Sequence, residues 1–367
     1  PQDHASQETL TRLARVLGRW DSLAQAFDTT LSGVEVDDQD TAALAFRTAQ
    51  LYDERLDDLT QAARYYRRAV LFDPSNKAAA EALASVYARG ESWSELLELD
   101  RDRESFAETD EERVAILHEI GRIESRKLDA PEDAIISYRR ILELDPRDRD
   151  AVSTLDELLE RTEHWDELRE HVEFQIDNAR DARSSMSLRQ RLGSLLRDKQ
   201  EDVARALDVF ADVLAEDPHY RPALEAVTGL LDEPEQGGRA VEILEPLHRQ
   251  SGAWPELIRV LETKAGWATD GFERSEIWQE VGRLYEEQGR DPSGAFAAWA
   301  QALRSDPSAE QAQAEVDRLA RARGKWEAYV QVCGEAAELT EDLELKTSFL
   351  RKVAATQDRE LGDPRAA

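Results

Sequence analysis

A tryptophan recurs along this chain at nearly constant spacing. Its positions are separated by 73, 72, 89 and 72 residues, at Trp20, Trp93, Trp165, Trp254 and Trp326. An Asp-Pro pair keeps spacings of 72, 72 and 89, at Asp73-Pro74, Asp145-Pro146, Asp217-Pro218 and Asp306-Pro307. A small residue follows the same period, at Ala49, Gly121, Gly193, Gly282 and Ala354. Three unrelated markers with one period indicate a chain of repeated structural units.

The residue pattern within each 72-residue unit predicts four helices. Apolar residues recur at helical spacing, as in 116–123, and no segment alternates strictly enough for a strand. The spacing of Ser92 with Glu95, and of Thr109 with Glu112, predicts capping boxes at two helix starts. Each Asp-Pro pair predicts a helix end, because proline disfavours helical geometry in the residue before it. The sequence therefore predicts an all-α fold with two helical hairpins in each unit.

These hairpins resemble the tetratricopeptide repeat, a helix-turn-helix unit of about 34 residues. The resemblance rests on a small residue in the first helix, small and aromatic residues in the second, and a closing proline. These residues are Gly121, Ala134, Tyr138 and Pro146, then Gly193, Ala206, Phe210 and Pro218, then Gly282, Ala295, Trp299 and Pro307. The resemblance covers nearly the whole chain and implies a right-handed α-solenoid, or superhelix, of about nine stacked hairpins.

The repeat also predicts where the hairpins and larger segments begin. Hairpins are expected to start near Ala5, Ala42, Lys77, Val114, Arg149, Met186, Arg221, Ser275, Glu310 and Thr347. One unit is 17 residues longer, which predicts an inserted helix and a kink within 232–254. We therefore expect repeats in 1–231, the insertion in 232–254, and further repeats in 255–367. The last repeat is truncated, so we expect the chain to be part of a longer protein.

The charge balance restricts the class of partner. The chain has 78 acidic and 47 basic residues, a formal net charge of −31. Nucleic acid and anionic membrane surfaces are excluded as partners, because both are bound through Lys and Arg. No stretch is apolar enough to cross a membrane. We expect a protein or peptide partner, with a basic one favoured by long-range attraction. The partner's identity and the oligomeric state stay open.

Candidate residues for catalysis or metal binding are few. His164 and His171 stand seven residues apart, but a metal site needs three or four ligands. The acidic stretch 145–150 lacks the glycine and distal glutamate of a calcium loop. Cys333 is the only cysteine, so an internal disulfide is excluded, and the cytoplasm is favoured over the periplasm. We expect no catalytic residues, no metal and no cofactor.

The resemblance also implies a binding surface. In the family, the first helix of each hairpin lines a concave groove and holds the ligand through polar side chains. The corresponding positions here are Phe46, Gln50, His118, Arg122, Gln190, Arg197, Gln279, Arg283 and Arg351. The repeated tryptophans are expected in the stacked core. Trp267 and Trp278 break the repeat and are the better candidates for a functional aromatic patch.

Two functions follow from this interpretation. The first is a non-catalytic scaffold that binds a peptide or a partner protein on its concave surface. The alternative is a regulatory or substrate-recruiting module of a larger signalling enzyme, whose catalytic domain is not in this chain.

Overall fold

The computed structural model describes residues 4–33 and 39–362 of the chain. Within these ranges it contains twenty α-helices, one π-helical turn at Tyr52–Leu56 and no strand, which confirms the all-α prediction. The helices are α1 His4–Leu17, α2 Trp20–Ser32, α3 Gln39–Leu51, α4 Leu59–Phe72, α5 Lys77–Arg89, α6 Trp93–Ser105, α7 Asp110–Arg126, α8 Pro131–Leu144, α9 Arg149–Arg161, α10 Trp165–Asp177, α11 Ala182–Asp198, α12 Val203–Glu216, α13 Arg221–Thr228, α14 Gly237–Ser251, α15 Trp254–Trp267, α16 Gly271–Glu287, α17 Pro292–Ser305, α18 Glu310–Arg323, α19 Trp326–Leu339 and α20 Leu343–Arg359.

Consecutive helices form the predicted hairpins. In each hairpin we call the two members the first helix and the second helix, and each predicted start lies within four residues of an observed first helix. The hairpins form two compact units, Pro1–His171 and Val172–Ala367. The segment limits expected at 231 and 254 stay a prediction.

Polar side chains define several helix starts. Thr109 accepts a hydrogen bond from the Glu112 amide, and the Glu112 carboxylate accepts one from the Glu108 amide. The predicted cap at Thr109 is therefore confirmed. The predicted cap at Ser92 is wrong, because its side chain makes no capping hydrogen bond. The backbone does not explain this difference, because Asp202 caps its helix with a ψ of 70°, close to the 67° of Ser92.

The predicted small and aromatic residues pack against each other within their hairpins. A Cβ atom on Gly193 would lie 2.3 Å from the Phe210 ring. Two other hairpins have the same arrangement. A Cβ atom on Gly121 would lie 2.8 Å from the Tyr138 ring, and one on Gly282 would lie 2.7 Å from the Trp299 ring. These glycines let the second helix bring its ring onto the backbone of the first.

The five repeated tryptophans occupy the same structural position. Each is the first residue of a second helix, at α2, α6, α10, α15 and α19, and each is half-buried. Lys127 lies 4.5 Å from the Trp93 ring centroid, and Arg55 lies 5.2 Å from that of Trp20. Arg55 and Lys127 are themselves 72 residues apart, so the equivalence extends to their neighbours.

The longer unit replaces one regular first helix by two helices. Its first part is the short helix α13, and its second part is α14, within the segment 232–254. Gly237 at the start of α14 packs directly against Trp267. Trp278 is partly buried among core residues of α15 to α17, and Trp267 is 38% exposed. Both tryptophans therefore contribute to packing around the insertion.

Candidate functional site

The nine predicted groove residues all lie on first helices, and we call them the first-helix row. They are Phe46 and Gln50 on α3, His118 and Arg122 on α7, Gln190 and Arg197 on α11, Gln279 and Arg283 on α16, and Arg351 on α20. Phe46, His118, Gln190, Gln279 and Arg351 are equivalent positions by the repeat period. The first four members of the row lie in the Pro1–His171 unit and the other five in the Val172–Ala367 unit.

His118 is engaged in a structural contact. Its Nε2 lies 2.9 Å from Oδ2 of Asp148, the residue that caps the start of α9. Burial raises the pKa of Asp148, but hydrogen bonds from His118 and the Ala151 amide outweigh that effect. The pKa of Asp148 therefore lies below its usual value. This contact connects two successive first helices, α7 and α9.

Three other members of the row also have neighbours within the fold. The Phe46 ring lies 5.6 Å from that of Tyr66, between centroids. Gln190 Nε2 donates to the Pro222 carbonyl at 3.4 Å, so it reaches the next first helix as His118 does. Arg197 Nε is 2.7 Å from Oδ1 of Asp198. These side chains would need to change partners to bind a ligand.

The arginines of the row are more accessible. Arg122, Arg283 and Arg351 are exposed. Arg122 lies 3.6 Å from Glu119 on its own helix. Arg283 and Arg351 form no salt bridge with any described residue. Gln279 donates a hydrogen bond of 3.4 Å to Ser275 on its own helix.

Gln50 lines a cavity of about 520 Å³ between the first helices α1 and α3. Trp20 and Phe27 of α2 contribute apolar surface to it. Four exposed arginines also line this cavity, and none forms a salt bridge to a described residue: Arg12, Arg15, Arg47 and Arg55. Glu8 and Glu54 are the acidic residues of its lining. Sequence reasoning found Gln50 but missed these arginines, because it placed only the positions that match the family's ligand-binding residues.

The described residues contain little that points to chemistry. Burial raises the pKa of the Cys333 thiol to about 11, so the nucleophilic thiolate is disfavoured. No group of three or more His, Cys, Asp or Glu side chains in 4–33 and 39–362 is arranged to hold a metal ion. None of the described helices combines the length and the apolar character that a membrane span requires.

Helical hairpins with a small residue under an aromatic ring define the class of protein. The chain is a divergent array of helical hairpins similar to tetratricopeptide repeats, and this likeness rests on its own repeat and packing. No protein-family model and no curated protein matches its sequence.

Solved structures to which the chain is similar include tetratricopeptide proteins. One is YrrB, described as having an unusual peptide-binding site, with 20% identity over 55% of this chain and 98% of that one, at a TM-score of 0.29. Another comes from Parabacteroides merdae, with 13% identity over 76% and 98% and a TM-score of 0.30. A third is the TPR2AB domain of yeast Sti1 in a pHSP90 complex, with 13% identity over 68% and 98% and a TM-score of 0.33. Such low TM-scores carry no argument about function.

Proposed function

We propose that the chain is a non-catalytic scaffold that binds a peptide or a partner protein on its first-helix face, the concave surface of the expected superhelix. The observation that carries this proposal is the cavity beside Gln50. Four arginines that form no salt bridge with a described residue line it, although the chain as a whole has a net charge of −31. Guanidinium groups hold carboxylates in bidentate hydrogen bonds, so this face suits an acidic segment of a partner.

The exposed arginines farther along the row support the same interpretation. Arg122 lies in the Pro1–His171 unit, and Arg283 and Arg351 lie in the Val172–Ala367 unit. Each unit thus offers cationic groups on its first helices. An extended segment contacts several such positions, and each contact adds to the total affinity. The alternative, a recruiting module of a larger enzyme, would use the same face.

Affinity capture with charge-reversed variants tests the proposal. The double variants Arg12→Glu with Arg47→Glu, and Arg122→Glu with Arg283→Glu, are immobilised beside the unchanged chain. Proteins captured from the source cells are quantified by mass spectrometry. We expect the captured partners to fall roughly tenfold or more with either double variant, because each reversal replaces attraction by repulsion.

Arg64→Glu is the matched control, because Arg64 is an exposed arginine on a second helix, α4. It should capture partners as the unchanged chain does. Circular dichroism checks that every variant keeps its helical content. Equal capture by the control and by both double variants would show that the first-helix face is not the binding surface.

A further inference from the structure

A second concave surface lies between the second helices α4 and α6, and the first helices α5 and α7 also contribute to its lining. This cleft measures about 860 Å³ and lies wholly within the Pro1–His171 unit. Val70, Leu83 and Leu99 line its apolar part, together with the exposed side chains of Leu71 and Phe106. We call it the α4–α6 cleft. None of its lining residues belongs to the first-helix row.

Comparison with the next repeat shows which contact is missing at this cleft. Between α8 and α10, Arg139 and Glu167 form a salt bridge of 2.5 Å. The equivalent residues 72 positions earlier are Arg67 and Glu95, and both line the α4–α6 cleft. They form no salt bridge with each other or with any other described residue. Identical residue types thus form a salt bridge between α8 and α10 but not between α4 and α6.

Apolar side chains are left uncovered at this cleft. Leu142, Leu214 and Leu303 are buried at equivalent positions in other second helices, whereas Val70 is only half-buried. Leu71 is 72% exposed, and the next repeat has Glu143 at that position.

Phe106, just after α6, is likewise 65% exposed, where the next repeat has Asn178. Only this repeat has a large apolar side chain at both positions, since the later repeats pair Glu143 with Asn178, Ala215 with Trp267, and Arg304 with Leu339. Large exposed apolar side chains grouped around a cavity mark a binding surface.

The rim of the cleft is acidic. Its carboxylates are Glu81, Glu95, Glu98, Asp102, Glu108 and Glu112. Two of the three cations in the lining are already paired: Lys77 lies 2.8 Å from Glu112, and Arg103 lies 2.7 Å from Asp100. Five carboxylates and only Arg67 are left without a salt bridge among the described residues. The unpaired charge around the apolar surface is therefore strongly negative.

We propose that the α4–α6 cleft binds a segment of a partner protein in which large apolar side chains are flanked by lysine or arginine. The apolar side chains contact Val70, Leu71 and Phe106, and the flanking cations lie beside the unpaired carboxylates. This site differs in place and in charge from the first-helix face. One chain therefore holds two partner segments of opposite charge.

Three synthetic peptides with a fluorescent label test this site on the full chain. The first has two leucines one helical turn apart between pairs of lysines. The second has glutamate in place of each lysine, and the third has serine in place of each leucine. We expect fluorescence anisotropy to show binding of the first peptide only. Its affinity should fall as sodium chloride is added, because exposed charges are screened.

Substitutions that introduce the residue types of other repeats test whether the peptide binds in this cleft. Leu71→Ala and Phe106→Asn introduce the residue types of Ala215 and Asn178, which stand at equivalent positions, so the fold should tolerate them. Together they should weaken binding of the first peptide by roughly tenfold or more. Ile136→Ala is the matched control, because Ile136 is 58% exposed but lies outside the cleft. It should leave the affinity unchanged.

Two results would overturn the proposal. One is binding of the acidic peptide as tightly as the basic one, and the other is unchanged binding by the Leu71→Ala, Phe106→Asn variant. Neither result bears on the first-helix face, because the Arg12, Arg47, Arg122 and Arg283 reversals lie outside this cleft.

Discussion

Two adjacent glycines at the start of α14 show how much the surroundings of a residue decide its role. A Cβ atom on Gly237 would lie 1.7 Å from the Trp267 ring and 2.4 Å from the Leu231 carbonyl oxygen. A Cβ atom on Gly238 would meet no atom within 4 Å. The ring could move, but the backbone oxygen cannot move without displacing the turn before α14.

We expect Gly237→Ala to destabilise the protein by roughly 1–3 kcal/mol, the usual cost of overpacking. Gly238→Ala should be neutral or slightly stabilising, because alanine favours the helix more than glycine does. Urea unfolding followed by circular dichroism measures both. Equal midpoints for the two variants would contradict the packing described for Gly237.

Cys333 allows a second test at the scale of a single residue. Its side chain is 2% exposed, and burial raises its pKa to about 11. A thiol reagent should therefore react on the order of 100-fold more slowly with the folded chain than with the chain in urea. Absorbance of the released chromophore gives both rates, and since the chain has one cysteine the signal has one source. Rapid reaction in the folded state would show that α19 opens readily.

At the scale of the element, the turns between helices repeat as faithfully as the helices do. Asp57, Asp129, Glu201 and Arg290 have positive φ and follow the period of 72, 72 and 89 residues. Glu163 and Gly324 are equivalent residues of the other hairpin type, with φ of 57° and 64°. Left-handed geometry costs a residue with a side chain about 1–2 kcal/mol, and glycine pays no such cost.

Exchanging residue types between these two turns should have opposite effects. We expect Glu163→Gly to stabilise the protein by about 0.5 kcal/mol. Glycine removes the cost of the left-handed backbone, but the greater conformational freedom of the unfolded chain offsets part of that gain. Gly324→Ala should destabilise it by about 1 kcal/mol. Glu157→Gly, in the exposed interior of α9, serves as the control and should cost about 1 kcal/mol. Differential scanning calorimetry compares the three, and a loss of stability in Glu163→Gly would refute the account of the turn.

At the scale of the whole molecule, the net charge of −31 opposes folding through self-repulsion. Many salt bridges join exposed side chains, such as Arg89 with Asp57 and Arg239 with Asp208, and contribute little individually. We therefore expect the melting temperature to rise by a few degrees between about 10 mM and about 300 mM sodium chloride, as screening weakens the repulsion.

Thermal melts recorded by circular dichroism measure this effect. Potassium chloride at equal ionic strength should give the same rise, because screening depends on ionic strength and not on the cation. A fall in melting temperature would show that the salt bridges outweigh the repulsion.

Much of the fold could be predicted because the sequence repeats, so each residue can be compared with the residues at equivalent positions. Gly121, Gly193 and Gly282 were recognisable as one structural position before any coordinates, and so were the tryptophans that begin the second helices. The positive-φ turns were equally periodic but went unnoticed, because Asp129 and Glu201 are not glycines. The prediction of a cap at Ser92 was wrong, because it used residue type and spacing alone and the Ser92 side chain does not form the capping hydrogen bond.

The two proposed binding surfaces were harder to predict from the sequence than the fold was. The row was located on its helices, but His118 has its imidazole against Asp148, a contact that no spacing rule contains. The arginines beside Gln50 come from α1, α3 and the π-helical turn, and they share a cavity only because of how α1 packs. Arg67 and Glu95 have the same residue types as Arg139 and Glu167, but only Arg139 and Glu167 form a salt bridge.

The sequence by itself determined the helices and their pairing into hairpins. These features follow from local helix propensity and from a hydrophobic pattern that recurs in each repeat. Only the tertiary structure decided which second helices are joined by a salt bridge, which arginines share a cavity and which polar groups of the first-helix row are already bonded. Such distances depend on how neighbouring hairpins pack, and small differences in packing alter them without altering the pattern of residues along the chain.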